Sequence, residues 1–78
     1  MHEVIQAALT DYQAAVARNR AKNARKRQRQ AEYESWSRRL RSLPVDEKGR
    51  VSATDFDAYM AERAVLDEKW AAIMAQPL

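Results

Sequence analysis

Residues 44–51 read PVDEKGRV and contain Pro44 and Gly49, the only glycine of the chain. From His2 to Leu43 no glycine or proline interrupts the sequence, and residue types that favour helices dominate it. A residue that precedes a proline disfavours the helical conformation, so a first helix is predicted to end at about residue 43. The stretch 44–51 is therefore predicted to be a loop.

A second helix is predicted over about residues 53–75. Ser52 is a typical N-cap residue, and Asp55 adds a negative charge to the first turn. The predicted fold is all-α: a helical hairpin with a long basic first helix over about residues 2–43 and a shorter second helix, in one domain over residues 1–78. At about 1.5 Å per residue the helices would measure about 60 and 35 Å, so the second should reach back to about residues 18–22.

The first turns of helix one carry an apolar face that the second helix is too short to cover. Spacing of i, i+4, i+7 and i+11 places four residues there, which we call the apolar stripe: Ile5, Leu9, Tyr12 and Val16. We expect the stripe to mediate self-association, most simply as a homodimer, or to bind another subunit. The alternative is that helix one bends within residues 17–31 and folds the stripe back onto helix two.

The main hydrophobic core is expected close to the loop. Helix two presents a broad apolar face, and the end of helix one adds three large residues: Phe56, Tyr59, Met60, Leu66, Trp70, Ile73 and Met74, with Trp36, Leu40 and Leu43. Small side chains are expected to let the helices approach closely: Ala17, Ala21, Ala24 and Ala31. A chain of this size buries only about 60% of its unfolded surface, so the core should be marginal.

Charge is distributed unevenly along the chain. The net charge of +3 is the result of −2 in residues 1–17, +8 in residues 18–41 and −3 in residues 42–78. Such asymmetry within one small domain indicates a nucleic-acid contact or a strongly electrostatic protein partner.

The positive charge is concentrated in what we call the basic segment: Arg18, Arg20, Lys22, Arg25, Lys26, Arg27 and Arg29. Helical spacing puts Arg18, Lys22, Arg25 and Arg29 on one face, with other members around the rest of the helix. Arginine and lysine suit phosphates, and the interleaved Asn and Gln side chains can read base edges. The segment is predicted to bind DNA, RNA or an acidic protein surface; alternatively, it is a solvated face that partly pairs with the acidic side of helix two.

Residues 23–29 (NARKRQR) resemble the arginine-rich RNA-binding helix of the N antitermination proteins of lambda-like phages. The shared features are the Asn–Ala start and the clustered arginines. Gln28 departs from the pattern, as do Gln30 and the position in the middle of the chain. The resemblance implies a similar way of meeting the charge of RNA, not membership of that family. Trp36 continues the same face, where it either stacks on a base or belongs to the core.

Catalysis and metal binding are not expected. The chain has no cysteine, and its only histidine is His2. A nucleophile needs a base within hydrogen-bond distance, a structural zinc site needs clustered Cys or His ligands, and a phosphate-binding loop needs several glycines. The sequence therefore predicts no enzyme, no cofactor, no metal site and no small-molecule substrate.

These observations predict a small non-enzymatic nucleic-acid-binding protein with a regulatory or packaging role. One alternative is an inhibitor or adaptor, of the kind a phage could encode, whose basic patch docks on an acidic or nucleic-acid-binding surface of a target protein. The other is a structural subunit of a larger assembly. No apolar run is long enough for a membrane span and no signal peptide is evident, so an intracellular location, in the cytoplasm or in a virus particle, is expected.

Overall fold

The computed structural model of the chain describes residues 2–78 and shows an antiparallel hairpin of two helices. Helix α1 spans His2–Arg39 and continues into a single 3-10 turn at Leu40–Ser42. Helix α2 spans Ala53–Ala75. Within these residues the only β-type pairing is one isolated bridge, between Val45 and Val51. The all-α hairpin predicted from the sequence is confirmed.

Helix α1 is continuous, so the alternative in which it bends and folds back is wrong. It runs without interruption from His2 to Arg39, through the whole of residues 17–31. The Cα atoms extend over 76 × 19 × 8 Å, with a radius of gyration of 21.1 Å. A compact domain of this length would have a radius of gyration of about 11–12 Å. The molecule is therefore a rod.

The loop between the helices is a hydrogen-bonded turn built around Asp46. The Asp46 carboxylate accepts hydrogen bonds from the backbone N–H groups of Lys48 and Arg50, both at 2.9 Å. Its carbonyl accepts one from Gly49, at 3.0 Å. Gly49 has φ of +75°, a conformation that costs glycine little and other residues much more. The position of the only glycine is thus explained by the turn.

Helix α2 begins where the sequence predicted. The Ser52 hydroxyl accepts a hydrogen bond from the backbone N–H of Asp55 at 3.1 Å, which satisfies one of the donors left open at the helix start. Leu43 is extended, as expected for a residue before Pro44.

Helix α2 reaches less far along α1 than predicted. Arg39, the last residue of α1, pairs with Glu62 in the third turn of α2. The start of α2 therefore lies beside the 3-10 turn and the loop, and α2 first meets α1 in its second turn, where Tyr59 stacks on Trp36. The far end of α2 meets α1 at Arg25, not at residues 18–22. The prediction was wrong because it assumed that the first turn of α2 lies beside the last turn of α1.

The core is smaller than predicted. Among the residues described, only Tyr59 and Trp70 are buried, at 5% and 3% exposure. Three residues predicted to be core are exposed: Phe56 at 44%, Leu40 at 42% and Met60 at 38%. The remaining predicted core residues are half-buried: Trp36, Leu43, Leu66, Ile73 and Met74. Two helices meet along one line, so each contacting side chain is covered from one side only.

The predicted alanine seam is also wrong. All four of its members are exposed: Ala17, Ala21, Ala24 and Ala31. The first three lie before Arg25, where α2 has already ended. The actual seam of α1 consists of larger residues, Trp36 and Glu32 among them, which contact Tyr59 and Trp70.

Candidate nucleic-acid interface

Residues 2–24 of α1, which we call the free arm, project beyond the hairpin. Helix α2 covers α1 only between Arg25 and Arg39. At about 1.5 Å per residue the free arm is about 35 Å long. It carries the apolar stripe and the first part of the basic segment.

Five members of the basic segment are exposed, and we call them the exposed cations: Arg18, Arg20, Lys22, Lys26 and Arg27. None of them forms an ion pair with any residue in the range 4–78. No acidic residue lies between Asp11 and Glu32 to offset them. Residues 18–27 of α1 therefore carry positive charge that no neighbouring acidic residue of the helix offsets, and α2 covers only the end of this length.

Arg25 has a structural role. Its Nη1 donates hydrogen bonds to the backbone carbonyls of Ile73 and Gln76, both at 2.9 Å. Carbonyls at the C-terminal end of a helix carry partial negative charge, and a guanidinium supplies both a donor and an opposite charge. The Ile73 carbonyl also accepts from the backbone N–H of Gln76, the residue that caps α2. Arg25 therefore closes the C-terminal end of α2 against α1. Arg29, one turn further on, is half-buried on the same side.

Replacing Arg25 with alanine should destabilise the hairpin. We expect the loss of two hydrogen bonds from a half-buried guanidinium to cost about 1–2 kcal/mol, which lowers the melting temperature by roughly 4–16 °C in a domain of this size. The measurement is thermal denaturation followed by circular dichroism at one protein concentration. Arg27→Ala is the matched control, because Arg27 is exposed and makes no such contact. Equal melting temperatures for the two variants would show that Arg25 does not close α2.

Acidic residues of α2 pair with α1 outside the basic segment. Glu62 pairs with Arg39 at 2.8 Å, and Asp67 accepts a hydrogen bond from the Tyr33 hydroxyl. That bond is the main reason why the pKa of Tyr33 lies above its ordinary value. No residue of the basic segment forms an ion pair with an acidic residue of α2 within residues 2–78. The partial pairing of the segment with acidic residues of α2 is therefore not observed, whereas the alternative that the segment is a solvated face stays open.

A second polar cluster lies where Trp70 is buried. The Glu32 carboxylate accepts hydrogen bonds from the indole N–H of Trp70 and from the Lys69 ammonium, the latter at 2.6 Å. The bond from Lys69 is the largest factor that holds the pKa of Glu32 below its ordinary value. The Glu32 carboxylate thus forms an ion pair with the Lys69 ammonium across the seam between the two helices. It also satisfies the only polar atom of the Trp70 side chain.

Trp36 belongs to the core and not to a base-stacking surface. Its ring stacks on Tyr59 with centroids 4.3 Å apart and 12° between the planes. Its indole N–H donates to the Tyr59 carbonyl at 2.9 Å. The Arg63 guanidinium lies over the ring at 5.6 Å. Of the two sequence interpretations of Trp36, the core interpretation is confirmed.

The apolar stripe and α2 lie on opposite sides of α1. At 100° per residue, the stripe is centred about half a turn away from Arg25, the residue that faces α2. Three of its members are 53% to 67% exposed (Ile5, Leu9 and Tyr12), and Val16 is half-buried. A shallow furrow runs along it between Tyr12 and Arg20. The sequence gives the angle between Arg25 and Val16 around α1, but only the contacts of Arg25 with the end of α2 show which side faces the second helix.

Within the described part of the chain there is no helix long and apolar enough to cross a membrane, and no group of three potential metal ligands. We found no match for this chain among protein-family models, curated proteins or solved structures.

Proposed function

We propose that this chain is a small nucleic-acid-binding protein with a regulatory or packaging role, and that the exposed cations of α1 contact phosphates. The observation that carries the proposal is the position of these cations. They are exposed and form no ion pair with residues 4–78, and they lie on a length of helix that α2 leaves largely uncovered. The proposal involves no catalytic step and no cofactor.

The dimensions of α1 suit a groove. A helix with its side chains is about 10–12 Å across, and the major groove of B-DNA is about 12 Å wide. The phosphates of the two strands flank a helix that lies in this groove. Arg18 and Lys22 point to one side of α1, whereas Arg20 and Arg27 point to the opposite side. The distribution of charge around the helix therefore allows contacts with both strands.

Sequence readout would come from amides between the cations. Asn19 and Asn23 are exposed on the same length of helix. Their side chains offer a donor and an acceptor, the combination that pairs with adenine in the major groove. The cations would supply most of the affinity, and these two residues a modest preference for particular bases.

The test is fluorescence anisotropy with a labelled 20-base-pair DNA duplex and a labelled RNA hairpin, between 0.05 and 0.2 M salt. Five phosphate contacts predict a log–log slope of about −4.5 on duplex DNA, and a loss of affinity of roughly 10²- to 10³-fold over this range. The comparison also decides between DNA and RNA. A slope shallower than about −2, or no binding at 0.05 M salt, would contradict the proposal.

The second candidate function is that of a subunit in a protein assembly, and the extent of exposed surface favours it. The chain has 6771 Å² of accessible surface. A compact monomer of its mass would have about 4,900 Å². If neither nucleic acid binds, an acidic protein surface becomes the partner to seek for the basic segment.

A further inference from the structure

We propose that the apolar stripe of the free arm is covered by the same stripe of a second copy of the chain, in an antiparallel dimer. The chain exposes about 1,900 Å² more than a compact monomer of its mass. A stable protein–protein interface needs about 800 Å² from each partner. The surplus is thus more than twice what one such interface requires.

The occupant of the stripe must come from another chain. Helix α2 ends at the level of Arg25 and lies on the opposite side of α1. The loop is at the far end of the rod. Hence no described segment of the same chain reaches Ile5, Leu9 or Tyr12.

The stripe is complementary to itself. Its members are spaced four, three and four residues apart, the spacing of a coiled-coil seam. When two copies run in opposite directions about a two-fold axis, Ile5 faces Val16 and Leu9 faces Tyr12. Each contact then occurs twice, as in any two-fold interface. The four residues of each copy are covered by the four residues of the other.

The positive charge of the basic segment favours an antiparallel over a parallel arrangement of the two copies. A parallel pair would bring the two sets of exposed cations side by side, with helix axes about 8–10 Å apart. This distance is comparable with the Debye length of about 8 Å at physiological salt, so the repulsion would be only partly screened. A parallel seam would also continue into Arg20, Asn23 and Arg27. The antiparallel pair keeps the two basic segments at opposite ends.

The antiparallel arrangement has a geometric consequence, which rests on the proposed function. The centre of the exposed cations lies about twelve residues from the centre of the stripe, or about 18 Å along the helix. The two sets in the dimer are then about 36 Å apart. One turn of B-DNA measures about 34–36 Å. Both sets could thus meet the same face of a duplex, one turn apart.

The first test is the mass of the full chain in solution, by light scattering after size-exclusion chromatography at 0.15 M salt. We expect about 18 kDa, twice the 9.0 kDa of one chain, and 9.0 kDa for the double variant Ile5→Asp with Leu9→Asp. Val45→Asp with Val65→Asp is the control, because both residues are exposed but lie off the stripe. Circular dichroism verifies that both variants remain helical. A monomeric wild type, or an unchanged mass for the stripe variant, would overturn the proposal.

The second test determines direction, and it is possible because the chain has no cysteine. Two single variants, Ile5→Cys and Val16→Cys, are treated with a short bismaleimide separately and as a mixture. The antiparallel dimer predicts cross-links only in the mixture, between position 5 of one copy and position 16 of the other. Cross-linking of Val16→Cys alone would show a parallel dimer and overturn the proposed direction. Neither test contains nucleic acid, so its failure is distinct from failure of the proposed function.

Discussion

Replacement of Trp70 with alanine is expected to unfold the hairpin. Trp70 is 3% exposed and is one of two buried residues among those described. Large-to-small replacement of a buried tryptophan costs about 3–5 kcal/mol. A core in a chain of this size rarely supplies more than about 3–5 kcal/mol in total. The variant also leaves Glu32 without the indole N–H that it accepts from.

The measurement is the circular dichroism signal at 25 °C and its thermal transition. The wild type should melt cooperatively, and Trp70→Ala should have lost most of the α2 signal before heating begins. Trp70→Phe keeps most of the ring but not the hydrogen bond, so an intermediate melting temperature is expected. Val65→Ala is the control, since Val65 is 66% exposed on the same helix. A Trp70→Ala variant that melts within a few degrees of the wild type would mean that contacts other than the Trp70 packing hold the hairpin.

Simultaneous replacement of Arg20 and Arg27 with alanine should weaken nucleic-acid binding without weakening the fold. Both residues are exposed and lie on the side of α1 away from α2. Loss of two phosphate contacts should reduce the magnitude of the salt slope by about 1.8 and the affinity by roughly 10- to 100-fold near 0.1 M salt. Arg25 and Arg29 are less suitable for this test, because both are half-buried on the hairpin side and Arg25 closes the end of α2.

The matched control is Arg38→Ala with Arg41→Ala. It removes the same two charges from the other end of the first helix and its 3-10 turn, outside the exposed cations. Arg38 lies near Glu34 at 3.8 Å, a weak exposed pair whose loss should have little effect on stability. If both double variants lose affinity equally, binding follows net charge and not the proposed segment. If the Arg20 and Arg27 variant binds like the wild type, the segment is a solvated face.

Several features of the fold follow from local rules and could be predicted from the sequence. Pro44 and Gly49 mark the loop, and Ser52 marks the start of α2 through a hydrogen bond that spans three residues. The bounds of α2 were predicted correctly for this reason. Helix α1 ends as an α-helix slightly earlier than predicted, because its last turn tightens into the 3-10 turn before Pro44.

The candidate site could be predicted only in part. The clustering of cations in residues 18–29 is a property of the sequence. Whether each cation is free to bind a partner depends on the position of α2, so the sequence alone does not distinguish Arg25 from Arg27. For the same reason, the sequence could not decide whether the Trp36 ring packs in the core or stacks on a base. Residues of one helix reveal their angles relative to each other, but not which angle faces the neighbouring helix.

The sequence by itself determined the two helices, the turn that joins them, the apolar stripe and the uneven distribution of charge, because each depends on residues close together in the chain. Only the tertiary structure decided the register of the hairpin. The hydrogen bonds from Arg25 to the C-terminal end of α2 join residues up to 51 positions apart. They form only because the start of α2 is offset along the rod from the end of α1. That register buries Tyr59 and Trp70 and places Arg25 against the C-terminal end of α2. It also leaves the free arm and its apolar stripe uncovered. A shift of one turn along α1 would redistribute these roles without altering any local preference.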